Sequence, residues 1–183
     1  RMMTKLLTNS VDEWIDVDVY PNDDGGLAFY LLSITDHKER EQELERTRDF
    51  FEQAERLGNL GAWEFDATGD LTWTNGTRRI HDVDDDYDPT FEEALEFFDP
   101  DQRDRLEAAV EAALDRGESY DLEAMLTTAA GNRRWVRTRG DVLMETDQPT
   151  VRGYIQDITA QKELATALQA ANAQLEHAIE AGA

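Results

Sequence analysis

The densest group of candidate ligand residues is the acidic run Asp82-Val83-Asp84-Asp85-Asp86-Tyr87-Asp88-Pro89. Within it Asp82, Asp84 and Asp86, with Glu93 beyond, take the first, third, fifth and twelfth positions of a calcium-binding loop. Such a loop needs glycine at its sixth position for a sharp turn. Tyr87 stands there, with Pro89 two residues on, so the run reads better as a solvated acidic loop. His81 precedes it and is the one histidine between residues 58 and 160. It is the candidate axial ligand for a haem, although a lone histidine more often has a structural or surface role. No cysteine occurs in the 183 residues. That removes disulfides, thiol nucleophiles and cysteine-ligated metals, and it fits a reducing cytoplasm. The sequence also has no glycine-rich phosphate loop and no serine in a nucleophile motif. The reading is of a chain without catalytic residues of its own and without a metal site.

Charge narrows the partners. The net charge is −23, from 41 acidic and 18 basic residues, and only three of the basic residues are lysines: Lys5, Lys38 and Lys162. Acid spread over the whole chain with little lysine suits a salt-rich, halophilic cytoplasm, where ions screen the self-repulsion. It argues against nucleic-acid binding, which needs a basic face. No apolar run is long enough to span a membrane, and no secretion signal opens the chain. The chain starts at Arg1 rather than methionine, as an excised segment of a longer protein would.

The elements that must position these residues follow from periodicity. Strands are expected over Met3–Thr8, Trp14–Tyr20 and Leu27–Ile34, with a turn at Asn22–Gly26. Asp36 and Glu39 have capping-box spacing and open a helix to about Leu57, stopped by Gly58. Strands follow over Gly61–Asp66 and Asp70–Thr74, then a short helical turn over Thr77–His81. Thr90 with Glu93 caps a helix through about Phe97. Asp99, Pro100 and Gln102 open a longer helix that ends at Gly117. Three strands are expected over Tyr120–Thr128, Trp135–Glu145 and Thr150–Ile158, then a helix from Ala160 with Leu164, Leu168, Ala171, Leu175 and Ala178 at heptad-like spacing. This order is that of an α+β domain, an antiparallel sheet with helices on one face.

The chain also repeats itself. Met2–Thr35 parallels Ala124–Thr159: Trp14-Ile15 matches Trp135-Val136, and Ile34-Thr35 matches Ile158-Thr159. Tryptophan precedes threonine by 21 residues in the first copy and by 24 in the second. With this repeat in view, Gly61-Ala62-Trp63, Phe97-Phe98-Asp99-Pro100, Gly117-Glu118-Ser119-Tyr120, Arg134-Trp135-Val136 and Asp157-Ile158-Thr159 together resemble a PAS domain, in the subgroup with a Gly-x-Trp start and an Arg-Trp-Val strand. The resemblance implies five antiparallel strands around a small pocket, flanked by signalling helices. Residues 1–36 would be the last strands of a truncated upstream PAS domain, 37–57 a connecting helix, 58–160 a complete PAS domain and 161–183 the start of an output coiled coil. Asp99 stands where the usual pattern has histidine.

Strand alternation selects a pocket lining of Trp63, Phe65, Leu122, Leu126, Val136, Thr138, Val151 and Ile155, closed by Ile80, Phe91 and Leu95. It is either a filled core or a site for a small apolar ligand; no cofactor is named by it. Light-sensing relatives use a cysteine and amide side chains on flavin; the corresponding positions here are Leu126, Val136 and Ile155, so flavin–cysteinyl photochemistry is argued against, and so is haem. The opposite face carries Trp135, Arg137 and Tyr154, with Arg139 and Arg152, and is expected to pack the connecting helix through Glu41, Glu43, Glu45, Glu52 and Glu55. The relay residues are Asp157 and Thr159, with the Thr159 hydroxyl expected to cap the final helix. The resemblance implies a cytoplasmic signal transducer, homodimeric through its helices, with a downstream output domain in the same chain: a haloarchaeal sensor histidine kinase. His177 lacks the His-Glu box of a kinase phosphoacceptor helix. A PAS-containing transcription regulator and a ligand-free dimerisation relay are the alternatives.

Overall fold

The computed structural model describes residues 2–7, 12–21, 25–144 and 149–181. They fall into two compact units, Arg1–Phe51 and Glu52–Ala183. The first holds a three-stranded antiparallel sheet, β1 (Met2–Leu7), β2 (Asp12–Pro21) and β3 (Leu27–Ser33), in that spatial order. Residues Asn22–Asp24 of the turn expected at Asn22–Gly26 lie outside the described residues. Helix α1 (Thr35–Gly58) follows β3 without a loop and continues into the second unit. It starts at Thr35, not after a cap at Asp36; Glu41, not Glu39, takes the first-turn partner, pairing with Lys38 at 2.6 Å.

The second unit is the expected α+β domain. Strands β4 (Leu60–Asp66), β5 (Leu71–Trp73), β6 (Tyr120–Thr127), β7 (Arg133–Leu143) and β8 (Thr150–Asp157) form an antiparallel sheet in the order β5-β4-β8-β7-β6. Glu145, the expected end of β7, lies outside the described residues. The central strand, β8, is the one that runs on into α5 (Thr159–Ala181). Helices α2 (Asn75–His81), α3 (Phe91–Glu96) and α4 (Pro100–Arg116) lie between β5 and β6 in sequence and bury their apolar side chains against the sheet. The core gathers Ile80, Leu95, Phe98 and Leu106 from the helices with Ala124, Leu126, Val136 and Ile155 from the strands. At about 1.5–3 kcal/mol for each large apolar side chain buried, this cluster outweighs any single polar contact in the unit.

Helix ends follow local chemistry, with two corrections. The capping box of α3 forms, Thr90 accepting from the Glu93 amide at 3.3 Å and Glu93 from the Thr90 amide at 2.9 Å. At α4, Pro100 takes the first turn as expected, but Asp99 makes no side-chain cap and pairs with Arg133 at 2.8 Å. Gln102 does not reach back either; its carbonyl oxygen accepts from the Met125 amide of β6. Tertiary partners outcompete the local caps there. α1 ends on Asn59, which takes the left-handed conformation expected of Gly58 at φ 48°, a conformation asparagine tolerates better than most residues. No helix among the described residues is long and apolar enough to cross a membrane.

Candidate functional site: a cavity wired to two helix ends

A cavity of about 70 Å³ lies between the sheet and α2–α4. Six of the residues selected by alternation line it: Trp63, Phe65, Phe91, Leu95, Thr138 and Ile155. The other five are displaced from it. Ile80, Leu126 and Val136 sit in the packed core, Leu122 packs against that core, and Val151 is fully buried in β8. The selected residues lie on the buried side of the sheet, but these five meet packed side chains rather than open space. Sequence reasoning missed Trp73, Thr77, His81, Leu106, Val110 and Tyr120, which complete much of the wall. Aromatic pairs stiffen it: Phe65 stacks on Phe91 with centroids 4.5 Å apart, and Trp63 lies nearly parallel to Tyr120 at 6.3 Å. Gly153 leaves room for the Trp63 ring, since a Cβ there would come within 2.6 Å of it.

His81 is buried to 1% exposure and stacks on Trp73 at 4.3 Å. Its Nδ1 lies 2.8 Å from the Thr77 carbonyl oxygen, while among the described residues its Nε2 has no hydrogen-bond partner. Burial pushes its pKa down to about 4, so the ring is neutral at pH 7. Burial likewise pushes the Tyr120 phenol up. A cavity of 70 Å³ is far below the roughly 300 Å³ at which cofactor-sized pockets begin, so these residues fit neither a flavin nor a haem.

α2, which carries His81 at its C-terminal end, lacks acidic residues in its first turn and a side-chain cap of its own. Glu55 in the last turn of α1 supplies one. Its carboxylate, 1% exposed, accepts from the Ala62 and Gly76 amides at 3.1 Å each and from the Thr74 hydroxyl, with Arg79 at 3.9 Å. An acid at a helix N-terminus also meets the positive end of the helix dipole. Two glycines make the fit: a Cβ on Gly76 would sit 2.7 Å from the Glu55 carboxyl carbon, and one on Gly61 only 1.9 Å from the Thr77 nitrogen. Glu55 therefore faces α2 and not the outer sheet face, correcting its expected place. The outer face finds partners within the sheet instead. Arg137 pairs with Asp121, Arg152 with Glu64 at 2.6 Å, and Arg139 with Asp141 at 3.5 Å. Trp135 there is half-buried under Lys162 of α5, whose ammonium lies 5.3 Å from the ring centre; Tyr154 is also half-buried.

At the other end of α2, Asp82 takes the left-handed cap at φ 54° and leads to the output joint. Arg134 of β7 donates to the Arg79 and Ile80 carbonyls at 3.0 and 2.7 Å, pairs with Asp82 at 2.7 Å, and reaches Asp157 at 3.7 Å. Partial burial opposes the Asp82 charge, but hydrogen bonds from Asn132 and Thr128 and the Arg134 guanidinium outweigh it and lower its pKa. Asp157 accepts from the Thr159 amide at 2.9 Å, while its own amide donates to the Asn59 carbonyl at 2.8 Å, just beyond α1. The Thr159 hydroxyl does not cap α5. It accepts from the Trp135 amide of β7 at 3.0 Å. Asp157 bonds the start of the helix, and Thr159 bolts it to the sheet. The acidic loop does not gather as a metal site: Asp82 faces Arg134, Glu93 serves its capping box, and Asp84 and Asp86 are exposed.

The five-stranded order and helix-covered cavity coincide with a family match. Residues 70–155 match the model described as the PAS fold. This part of the chain is a PAS domain. The chain is 25% identical over 114 residues to "Sensor protein FixL" of Bradyrhizobium diazoefficiens, covering 60% of this chain and 22% of that protein. It is 29% identical over 123 residues to a "Blue-light-activated histidine kinase" of Brucella ovis, covering 66% of this chain and 24% of that protein. A solved sensory box histidine kinase/response regulator from Burkholderia thailandensis superposes with TM-score 0.54 at 27% identity, covering 69% of this chain and 98% of that one. The PAS domain is thus related to those of sensor histidine kinases, and the chain spans less than a quarter of the length of the two curated relatives.

Proposed function

We propose that this chain is the sensory and relay segment of a multi-domain signal transducer, a sensor histidine kinase, and that it passes a change of cavity or dimer state through Asp157-Ile158-Thr159 into α5. The observation that carries the reading is the polar path Asp82–Arg134–Asp157, which starts at the helix bearing His81 and ends at the first amide of α5. Glu55 and the Asn59 carbonyl tie the end of α1 to the same path, so input and output helices meet one PAS domain. The sheet β1–β3 is read as the last strands of a second PAS unit, because its joint to α1 makes the same hydrogen bonds as the joint to α5. The acidic surface suits a salt-rich cytoplasm.

α5 is the dimer helix in this reading. It exposes Leu164, Leu168, Leu175 and Ile179 by 56–72%, a stripe at coiled-coil spacing that a second copy would cover. The chain has no cysteine, so Leu168→Cys places a single thiol on that stripe. Oxidation should give a cross-linked dimer, at a rate that changes when Asp157→Ser is added. A cross-linking rate indifferent to Asp157, or the absence of any cross-link, would count against the reading.

A further inference from the structure

Besides the indoles of Trp63 and Trp73, whose N–H groups can only donate, the polar side chains lining the cavity are those of Thr77, His81, Tyr120 and Thr138. Three are engaged: the Thr77 hydroxyl donates to the Ala62 carbonyl at 2.7 Å, and Tyr120 is bonded to Thr138. His81 is engaged at one nitrogen only. A carbonyl oxygen can only accept, so the Nδ1 that lies 2.8 Å from Thr77 carries the ring proton. In the neutral ring Nε2 then holds a lone pair, and it is buried without a partner among the described residues. Among the described residues, the buried polar atom of this lining left without a partner is therefore an acceptor. A buried acceptor left unmet is costly and calls for an explanation. Water suits it poorly, because a buried water needs two to four polar partners, and the ring is flanked by Trp73 and Phe97.

We propose that the cavity takes a small uncharged molecule with an apolar body and one N–H or O–H donor, which the Nε2 of His81 accepts. The proposal rests on the PAS-relay reading and names the ligand class for its cavity. Size and charge define the class. The volume of about 70 Å³ is of the order of the bulk of one five-membered ring, which limits the ligand to a small azole or a short alcohol. No Asp, Glu, Lys or Arg is among the lining residues, so a charged ligand would lose its hydration without a counter-ion. A ligand bonded to His81 acts at the C-terminal end of α2, one residue from Asp82 and hence from Arg134.

Pyrrole and furan separate the donor from the shape. They are five-membered rings of nearly equal size, and only pyrrole has an N–H to give. Calorimetric titration of the full chain should show pyrrole binding about tenfold more tightly than furan, the worth of roughly one buried hydrogen bond. His81→Phe should bring the two affinities together. In the unsubstituted chain, the nitrogen-15 resonance of His81 Nε2 should shift toward the hydrogen-bonded range on adding pyrrole, with Nδ1 unchanged, a readout that does not depend on the variant folding. Equal affinity of pyrrole and furan, no binding of either, or an unmoved Nε2 resonance would overturn the proposal. Each of these outcomes leaves the relay reading to its own cross-linking test, which needs no ligand.

Discussion

Two threonines begin two helices in this chain, and they do the same unexpected thing. Thr35 accepts from the Trp14 amide at 2.9 Å and Thr159 from the Trp135 amide at 3.0 Å. In both joints the preceding isoleucine amide donates to that tryptophan's carbonyl at 2.8 Å, and the lysine three residues after the threonine closes the first helical turn at 3.0 Å. The registers correspond as well: Ile15 faces Ser33, and Val136 faces Asp157. The joints differ one step away. Ser33 lies 3.5 Å from the Thr35 hydroxyl, whereas Asp157 holds the Thr159 amide and reaches Arg134. Their surroundings differ too. β3 leaves Tyr30, Leu31 and Leu32 about two-thirds exposed, while Val151 and Ile155 of β8 are buried. The threonine bolt is common equipment for welding a strand to a helix. The aspartate–arginine link belongs only to the sheet that carries a covered cavity.

That contrast can be broken at several depths. The deepest is Glu55, at the far end of the helix that Thr35 begins. Glu55→Ala leaves the buried Gly76 amide and the Thr74 hydroxyl without their acceptor, while the Ala62 amide keeps its bond to Thr74, and should destabilise the second unit by about 3 kcal/mol, read from denaturation midpoints. Next is pH. Folded His81 binds its proton with a pKa of about 4, against an ordinary 6.5. The unfolded chain therefore takes up a proton first as pH falls below 6.5, and about 3 kcal/mol of stability is lost progressively down to pH 4. His81→Phe should remove that part of the pH dependence. Thr159→Val leaves the Trp135 amide without its acceptor and should cost about 1–2 kcal/mol, with Thr35→Val costing less in its more exposed sheet. The smallest change sharpens the comparison most: Asp157→Ser rewrites the second joint as the first. It should cost about 1 kcal/mol or less, yet speed amide exchange in the first turn of α5.

Much of this architecture was legible because it rests on local patterning. The repeat of Trp14-Ile15 in Trp135-Val136, the Thr90–Glu93 capping box and the alternation in β6–β8 each state their structure within a few residues. The working parts of the site did not. Glu55 lies among other helix acids, and nothing in the helix's own periodicity separates it from Glu52 or Glu45. The available signal was indirect: Thr74-Asn75-Gly76 opens a helix with no acid in its first turn, so its donors had to find a distant acceptor. By type and isolation His81 reads as a surface or structural histidine; its position directly after Ile80 is the hint that it lies on the edge of a buried face. Thr159 reads as a cap because side-chain capping is the usual fate of a threonine before a helix, and only the paired strand reveals the competing amide of Trp135.

The central claim is that Arg134 and Asp157 act as one link between the cavity helix and α5. A double-mutant cycle of Arg134→Gln and Asp157→Ser, read by hydrogen exchange at the Lys162 amide, tests it directly. The amides of β6 serve as a control for global loosening. If the link is real, each single change speeds exchange at Lys162 and the double change adds little beyond the faster one. Effects that multiply as independent changes would contradict it.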